Sequence, residues 1–166
     1  MSDDAPTEEF ASAIGYPRPF ADYAVALARS AARQLCIQSP ALDVRVFDNA
    51  ELIDAIGELA RGGRQTGVRI LVADPRPLVQ RGHRLLALAR RLPSKVQIRV
   101  LAEHPEWQGE TVVIRDSDGV LYHAGDAGEA AFYEPDSRAS TQRHLERFED
   151  LWRHSETHVE LRSMPL

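Results

Sequence analysis

The stretch GETVVIRDSDGVLY, residues 109–122, predicts two short strands joined by a tight turn. The strands ETVVIRD and VLYHAG are rich in branched apolar residues, which is typical of β-structure. Between them lie Ser117, Asp118 and Gly119, and aspartate followed by glycine tolerates the positive φ angles of a hairpin turn. The stretch therefore predicts an antiparallel hairpin whose first strand ends at Asp116.

Outward from this hairpin, helical and extended patterns alternate along the chain. The predicted helices cover residues 20–33, 51–63, 78–92 and 140–156, and the predicted strands cover residues 34–40, 67–73 and 95–101. Asp48 or Asn49 is expected to cap the second helix, and Ser140 the last one. This order predicts a three-layer α/β/α domain with a mixed, mostly parallel sheet.

The chain length is that of one domain. Its 166 residues, 43% of them apolar and 27% charged, suffice for a hydrophobic core. We expect a flexible acidic leader over residues 1–18, which contain Pro6 and Pro17, and a single domain over residues 19–160.

Several features predict a cytoplasmic protein without a membrane partner. No apolar run approaches the roughly 18 residues of a membrane span. The acidic N-terminus lacks the basic-then-apolar order of a secretory signal. A single cysteine, Cys36, excludes an internal disulfide, and its apolar surroundings indicate a buried thiol.

Charge is strongly segregated along the sequence. The segment between Arg61 and Arg99 holds ten basic residues and one acid, Asp74, for a net charge of +9, whereas the rest of the chain carries −14. Such a segment can form a positive face that attracts phosphate or an acidic partner, or the acidic segments can pack over it and neutralise it. The candidate phosphate-binding or anion-binding residues are Arg76, Arg81, Arg84, Arg90 and Arg91, for which a solvated helix face is the alternative.

From about residue 20 to residue 156, the order of these segments resembles the phospholipase D superfamily. AARQLCIQSPALD resembles the first strand of that family, and ELIDAIGELARGGRQTGVRILVADP resembles its unit of helix, glycine turn and basic strand. ETVVIRDSDGVLYHAGD resembles the catalytic hairpin, and the last helix carries FEDLW. Single-unit relatives pair across a two-fold axis so that two motifs meet, so the resemblance implies a homodimer.

The signature of that family is histidine, any residue, lysine, four residues, then aspartate. The histidine attacks phosphorus, a second histidine protonates the leaving oxygen, and the lysine stabilises charge on the phosphoryl oxygens. When the chain is aligned on Asp116, the histidine position is Gly109 and the lysine position is Thr111. The resemblance therefore implies a degenerate member without the nucleophile or the ammonium group, in which Asp116 is a strand-end residue that caps the turn.

The candidate residues of this degenerate cleft are Ser39, Gly109, Thr111, Asp116, His123 and Asp126. His123 lies on the returning strand, where its imidazole could face the same cleft as the lost histidine. His154 and His158 have a spacing that can place two imidazoles on one helix face, but no third ligand is evident, so no metal site is predicted. The sequence has no GxxxxGK loop and no GxSxG elbow, and no cofactor is predicted.

Three functions follow as hypotheses. The first is a non-catalytic domain that binds a ligand or a partner protein, such as an acetyltransferase domain joined to it. The second is a nucleic-acid-binding module that uses the basic segment between Arg61 and Arg99. The third is a re-purposed phosphodiesterase that depends on His123.

Overall fold

Within residues 8–125 and 128–162, which the computed structural model describes, a seven-stranded mixed sheet forms the centre of the domain. The strands are β1 (Ala11–Ser12), β2 (Gln34–Gln38), β3 (Gly67–Val72), β4 (Val96–Val100), β5 (Thr111–Arg115), β6 (Gly119–His123) and β7 (Ala131–Glu134). Their order across the sheet is β1-β7-β6-β5-β2-β3-β4. The predicted α/β class with a mixed sheet is confirmed.

The parallel part of the sheet is smaller than the sequence predicts. Strands β2, β3 and β4 run parallel, whereas β2 pairs with β5, β5 with β6, β6 with β7 and β7 with β1 in antiparallel fashion. The prediction of a mostly parallel sheet was therefore wrong in its proportions. The reason is that β7 and β1, which the sequence pattern did not reveal, extend the antiparallel hairpin to the edge of the sheet.

Helices cover both faces of the sheet, which gives the predicted three layers. They are α1 (Phe20–Ser30), α2 (Val44–Phe47), α3 (Ala50–Ala60), α4 (Arg76–Arg81), α5 (Arg84–Arg91), α6 (Arg138–Arg153) and α7 (Val159–Arg162). Helix α6 packs on one face through Phe148, Leu151 and Trp152, and buried residues of the other helices pack on the opposite face. No helix in the described part of the chain has the length and apolar character needed to cross a membrane.

Strand β5 shows how the sequence creates two cores at once. All five of its residues are buried, which is why TVVIR reads as a continuous apolar run rather than an alternating one. Val113 contributes to the core on the α1 side, whereas Val112 and Ile114 pack in the core that contains Trp152. Alternation along the strand thus assigns successive side chains to opposite faces.

The helix predicted over residues 78–92 is divided into α4 and α5. Gly82 has φ 65° and ends α4 in the left-handed conformation. The His83 ring then caps α5, because its Nδ1 accepts a hydrogen bond from Leu85 N at 3.1 Å. Its Nε2 lies 3.1 Å from Leu42 O, so His83 also links α5 to the loop after β2.

Two predicted boundaries differ from the observed ones. Part of the predicted leader belongs to the domain, since Ala11–Ser12 pair with β7 and Ile14 is buried in the core. Residues 1–7 of that leader lie outside the described part. Helix α6 begins earlier than predicted, because Ser137 rather than Ser140 accepts the capping hydrogen bond.

Three strand ends meet at one rim of the sheet. Because β2 and β5 are antiparallel, Gln38 at the end of β2 pairs with Val112 near the start of β5. Thr111 in turn pairs with His123, the last residue of β6. Side chains from these three strands therefore converge, and the loops that follow them complete the candidate site.

Candidate functional site

A cleft of about 460 Å³ opens at this rim on the α1 side of the sheet. Its lining residues are Tyr16, Ser39, Pro40, Ala41, Asp43, Gly109, Thr111, His123 and Gly125. Among the predicted cleft residues, the structure brings together Ser39, Gly109, Thr111 and His123. Asp126 lies outside the described residues. The volume is in the range of small-ligand sites.

Ser39 holds the loop that follows β2. Its backbone amide donates to Leu71 O at 3.0 Å, and its Oγ accepts a hydrogen bond from Leu42 N at 3.2 Å. Leu42 has φ 53°, so the chain reverses sharply here. The buried serine therefore shapes the wall of the cleft by holding this turn.

His123 presents a neutral imidazole to the cleft. Its ring contacts Tyr16, with centroids 4.5 Å apart, and the edge of Phe20, with centroids 5.9 Å apart. Burial lowers the pKa of His123, although Glu129 acts in the opposite direction. Nδ1 accepts a hydrogen bond from Gly125 N at 2.9 Å, so the neutral ring carries its proton on Nε2.

Glycine is required where the two loops of the cleft meet. Gly109 has φ 89° and Gly125 has φ 63°, both in the region that L side chains rarely adopt. A Cβ on Gly125 would lie 2.1 Å from Gly109 O. The loop after β6 is thus pressed against the backbone just before β5.

A tyrosine and an aspartate that the sequence pattern did not single out also line the cleft. Tyr16 Oη donates to Asp43 Oδ2 at 2.9 Å, and Arg45 binds the same carboxylate through Nε at 3.1 Å and Nη2 at 2.8 Å. Partial burial would raise the pKa of Asp43, but hydrogen bonds from Arg45 and Tyr16 lower it overall. Burial and the hydrogen bond to Asp43 raise the pKa of Tyr16.

Asp116 lies at the other end of β5, and the prediction that it belongs to the cleft was wrong. Its carboxylate accepts hydrogen bonds from the backbone amides of Ala32 at 3.0 Å, Arg33 at 2.8 Å and Gln34 at 3.0 Å. These amides join the end of α1 to the start of β2. Asp116 therefore has a structural role at the strand end, but its carboxylate caps the connection between α1 and β2 and not, as the sequence predicted, the hairpin turn.

The residues that line the cleft offer neutral donors and aromatic surface. They include one imidazole, three hydroxyl-bearing side chains and the carboxylate of Asp43, but neither lysine nor arginine. The nearby Arg45 guanidinium is committed to Asp43. The described cleft therefore has hydrogen-bonding capacity without a free fixed cation.

Comparison with known proteins identifies the family. The model of a domain of unknown function, DUF7931, matches residues 16–164. The chain belongs to the DUF7931 family. No curated protein matches the sequence of this DUF7931 chain.

Solved structures show which fold the DUF7931 domain shares. Nuc from Salmonella typhimurium, described as a phospholipase D family member, is 18% identical with a TM-score of 0.63, and the match covers 93% of this chain and 100% of Nuc. NucT from Helicobacter pylori is 12% identical with a TM-score of 0.62, and the match covers 90% of this chain and 100% of NucT. The DUF7931 domain therefore has the phospholipase D-like fold that the sequence order predicts.

A third similar structure belongs to a larger protein. TrmBL2, an archaeal chromatin protein described as showing a novel mode of DNA binding, is 16% identical with a TM-score of 0.64. The match covers 92% of this chain but 55% of TrmBL2, so the DUF7931 chain spans about half of that protein. At this identity the similarity concerns the fold.

The candidate anion-binding arginines of the DUF7931 domain are partly engaged with acids and carbonyls. Arg76 pairs with Asp74 at 2.9 Å, and Arg84 pairs with Asp48 at 2.6 Å. Arg90 donates to carbonyl oxygens of the C-terminal segment. Arg81 and Arg91 are exposed, and their role in binding phosphate stays a prediction.

The neighbours of His154 differ from those that its sequence spacing with His158 indicates. His154 does not meet His158 but lies near His104 and Asp150, and one potential ligand atom from each of these three falls within 4.8 Å of the others. His154 Nδ1 lies 2.9 Å from Asp150 O, and His104 Nδ1 accepts a hydrogen bond from Glu106 N at 3.0 Å. These contacts position the rings within the chain, and the expected absence of a metal stays a prediction.

Proposed function

We propose that the DUF7931 domain is a non-catalytic member of the phospholipase D-like fold, whose cleft binds a ligand or a partner protein without cleaving a phosphodiester. The observation that carries the proposal is the pair of residues at the histidine and lysine positions of the phospholipase D motif. Gly109 provides no nucleophile, and the buried Thr111 provides no positive charge. Loss of an activated nucleophile typically lowers the rate by orders of magnitude.

The backbone supports the same proposal. Because Gly109 has a positive φ and its carbonyl lies against Gly125, a histidine at position 109 would be strained before its ring reached the cleft. A histidine could therefore not be placed at position 109 without strain in the backbone.

His123 is a weak substitute for the lost nucleophile. In the neutral ring, the hydrogen bond from Gly125 N uses the lone pair of Nδ1, so Nε2 carries the proton. The ring has neither a carboxylate hydrogen bond to activate it nor a free cation in the described cleft to stabilise a phosphorane-like transition state. Its geometry suits a hydrogen-bond donor to a bound ligand.

The cleft chemistry favours an uncharged polar ligand over a phosphate dianion. The His123 imidazole and the Thr111 hydroxyl offer hydrogen bonds, and Tyr16 offers an aromatic surface. The Asp43 carboxylate is already bound by Arg45 and Tyr16, so it contributes little uncompensated charge. A neutral ligand would leave these internal bonds intact.

An assay with bis(p-nitrophenyl) phosphate separates binding from turnover. We expect no release of nitrophenol above buffer by the purified chain. Turnover that disappears in His123→Ala would contradict the proposal and favour a re-purposed phosphodiesterase. For the binding role, crystals soaked with neutral fragments should show a fragment beside His123, and Thr111→Phe, which fills the cleft, should prevent this.

A nucleic-acid-binding module is the second candidate, and the similarity to a DNA-binding chromatin protein favours it. Arg81 and Arg91 project from the basic segment without a described salt bridge, although Asp48 and Glu149 neutralise Arg84 and Arg69. Binding through phosphates would weaken steeply between 50 mM and 200 mM salt. Fluorescence anisotropy with a labelled duplex at both salt concentrations tests this candidate, and an absence of binding at 50 mM excludes it.

The homodimer implied by the family resemblance stays a prediction. In single-unit relatives two motifs meet across a two-fold axis, so a dimer of this chain would bring two clefts together. Analytical ultracentrifugation of the purified chain measures the state directly. A monomer at high micromolar concentration would contradict the expectation.

A further inference from the structure

A second pocket lies on the opposite face of the same rim, between helix α6 and the sheet. It has a volume of about 390 Å³, again in the range of small-ligand sites. Its lining residues are Gln38, Glu110, Val112, Tyr122, Phe132, Arg143, His144 and Arg147. Unlike the cleft, this pocket has two guanidinium groups beside an aromatic wall.

Gln38 places an amide on the inner wall of the pocket. The residue as a whole is only 3% exposed, and the part of it that remains accessible lines the pocket. A side-chain amide can both donate and accept hydrogen bonds. Since Gln38 lines the pocket, its amide is available to a bound molecule.

The wall of the pocket is built from stacked rings. Tyr122 and Phe132 are cross-strand partners on β6 and β7, and their rings lie 5.0 Å apart at an interplanar angle of 16°. The His144 ring approaches both, with centroid distances of 5.5 Å and 5.9 Å. Such a group of flat surfaces is suited to stacking against a planar ring.

Positive charge lies at the mouth of the pocket. Arg143 and Arg147 are exposed and are four residues apart, so they project from the same face of α6. Burial and these two arginines lower the pKa of His144, while Glu134 and Glu110 act in the opposite direction. The arginines therefore create a local positive field that an anion would offset.

Glu110 supplies a carboxylate to the same pocket. One of its oxygens, Oε1, accepts a hydrogen bond from Gln108 N at 2.7 Å. Its other oxygen can accept from a ligand amino group, and Gln38 can both donate and accept. The pocket thus combines a hydrogen-bonding floor, a flat wall and a cationic mouth.

We propose that this second pocket binds a nucleoside monophosphate group, with the base stacked on the aromatic wall near Gln38 and the phosphate held by Arg143 and Arg147. The depth of each group fixes this orientation, because Gln38 is buried and the arginines are exposed. The group can come from a free nucleotide or from the end of a single-stranded nucleic acid. The proposal is independent of whether the cleft on the other face is catalytic.

Isothermal titration calorimetry with AMP, GMP, CMP and UMP tests the proposal. At least one of them should bind saturably, and both its nucleoside and inorganic phosphate should bind at least about tenfold more weakly, because each lacks half of the contacts. Arg147→Gln and Gln38→Leu should each weaken binding about tenfold, whereas Arg153→Gln, on the same helix but outside the pocket, should not.

NMR of the unmodified chain provides a test that does not depend on the folding of any variant. Binding should shift the ring signals of His144 and raise its pKa, since a phosphate is brought near the imidazolium. A 5′-phosphorylated hexamer of the base whose monophosphate binds most tightly distinguishes the sources: tighter binding than that monophosphate indicates a nucleic-acid end, and equal or weaker binding indicates a free nucleotide. The proposal is overturned if none of the four monophosphates binds saturably, or if the bound ligand leaves the His144 signals unchanged.

Discussion

Thr111 and Asp116 lie at opposite ends of strand β5, separated by about 16 Å at 3.3 Å per residue. Thr111 lines the cleft, whereas Asp116 binds the backbone that joins α1 to β2. Two positions of one sequence motif therefore have separate roles. An aspartate at position 116 therefore serves the fold whatever residues occupy positions 109 and 111.

Asp116→Ala should lower the free energy of unfolding by about 2 kcal/mol, because three backbone amides lose a charged acceptor. Asp116→Asn should cost less, since asparagine keeps an acceptor and tolerates the observed φ of 49°. Urea denaturation measures both, with the exposed Asp54→Asn as the control. Equal stability of Asp116→Ala and Asp54→Asn would contradict the structural role.

Introducing the histidine and lysine of the phospholipase D motif by Gly109→His and Thr111→Lys should give no phosphodiesterase. The histidine would occupy a backbone with φ 89° and cost about 1–2 kcal/mol or more, and the lysine would enter a buried position. Circular dichroism reports the loss of stability, and bis(p-nitrophenyl) phosphate reports activity. A stable and active double variant would show that side chains alone separate this domain from an enzyme.

Gly125→Ala should be much more destabilising than Gly82→Ala. Both glycines have similar left-handed φ values, 63° and 65°, so each alanine carries a comparable conformational cost of about 1 kcal/mol. Only at position 125 does the new Cβ meet backbone, at 2.1 Å from Gly109 O, whereas nothing lies within 4 Å at position 82. The difference between the two melting temperatures isolates the contact, and similar values would show that the loops separate easily.

We expect the free energy of unfolding to decrease as the pH falls below about 6.5, because the folded domain disfavours protonation of His83. Burial lowers the pKa of His83 in the folded state, with Asp48 and the hydrogen bond to Leu42 acting in the opposite direction. In the unfolded chain the pKa of His83 is about 6.5, so below this pH the unfolded chain binds more protons than the folded domain. Protonation therefore favours unfolding, and the free energy of unfolding falls as the pH drops from about 6.5 to the lower pKa of the folded state.

His83→Asn keeps an acceptor that can cap α5 but removes the titration. Melting temperatures of both proteins from pH 7.5 to 5 should therefore show a shallower dependence for the variant. Because burial also lowers the pKa values of His123 and His144, the slope should be reduced rather than abolished. Identical slopes of melting temperature against pH would show that His83 does not contribute to the pH dependence of stability.

The sequence was informative wherever local chemistry determines local structure. The hairpin, the cap at Asn49 and the buried strands follow from residue type and spacing, although the positive φ of the hairpin turn lies at Asp116 and not at Asp118 or Gly119. The break at Gly82 was also readable in principle, because a glycine followed by a capping histidine ends one helix and begins another.

Other features depend on contacts distant in sequence. Tyr16 reaches Asp43 only because the segment before α1 folds over the cleft, and a sequence gives no distance between them. Strand β7 has four residues and is stabilised by pairing with β6, so its pattern alone is too short to identify. The pocket beside α6 likewise joins Gln38 to Arg147, over one hundred positions later.

Tyr122 and His123 are consecutive in the chain and point to opposite faces of β6, one into each cavity. The two cavities consequently share a partition that is a single backbone thick. A molecule bound in one cavity would therefore contact the residue next in sequence to the one that a molecule in the other cavity contacts.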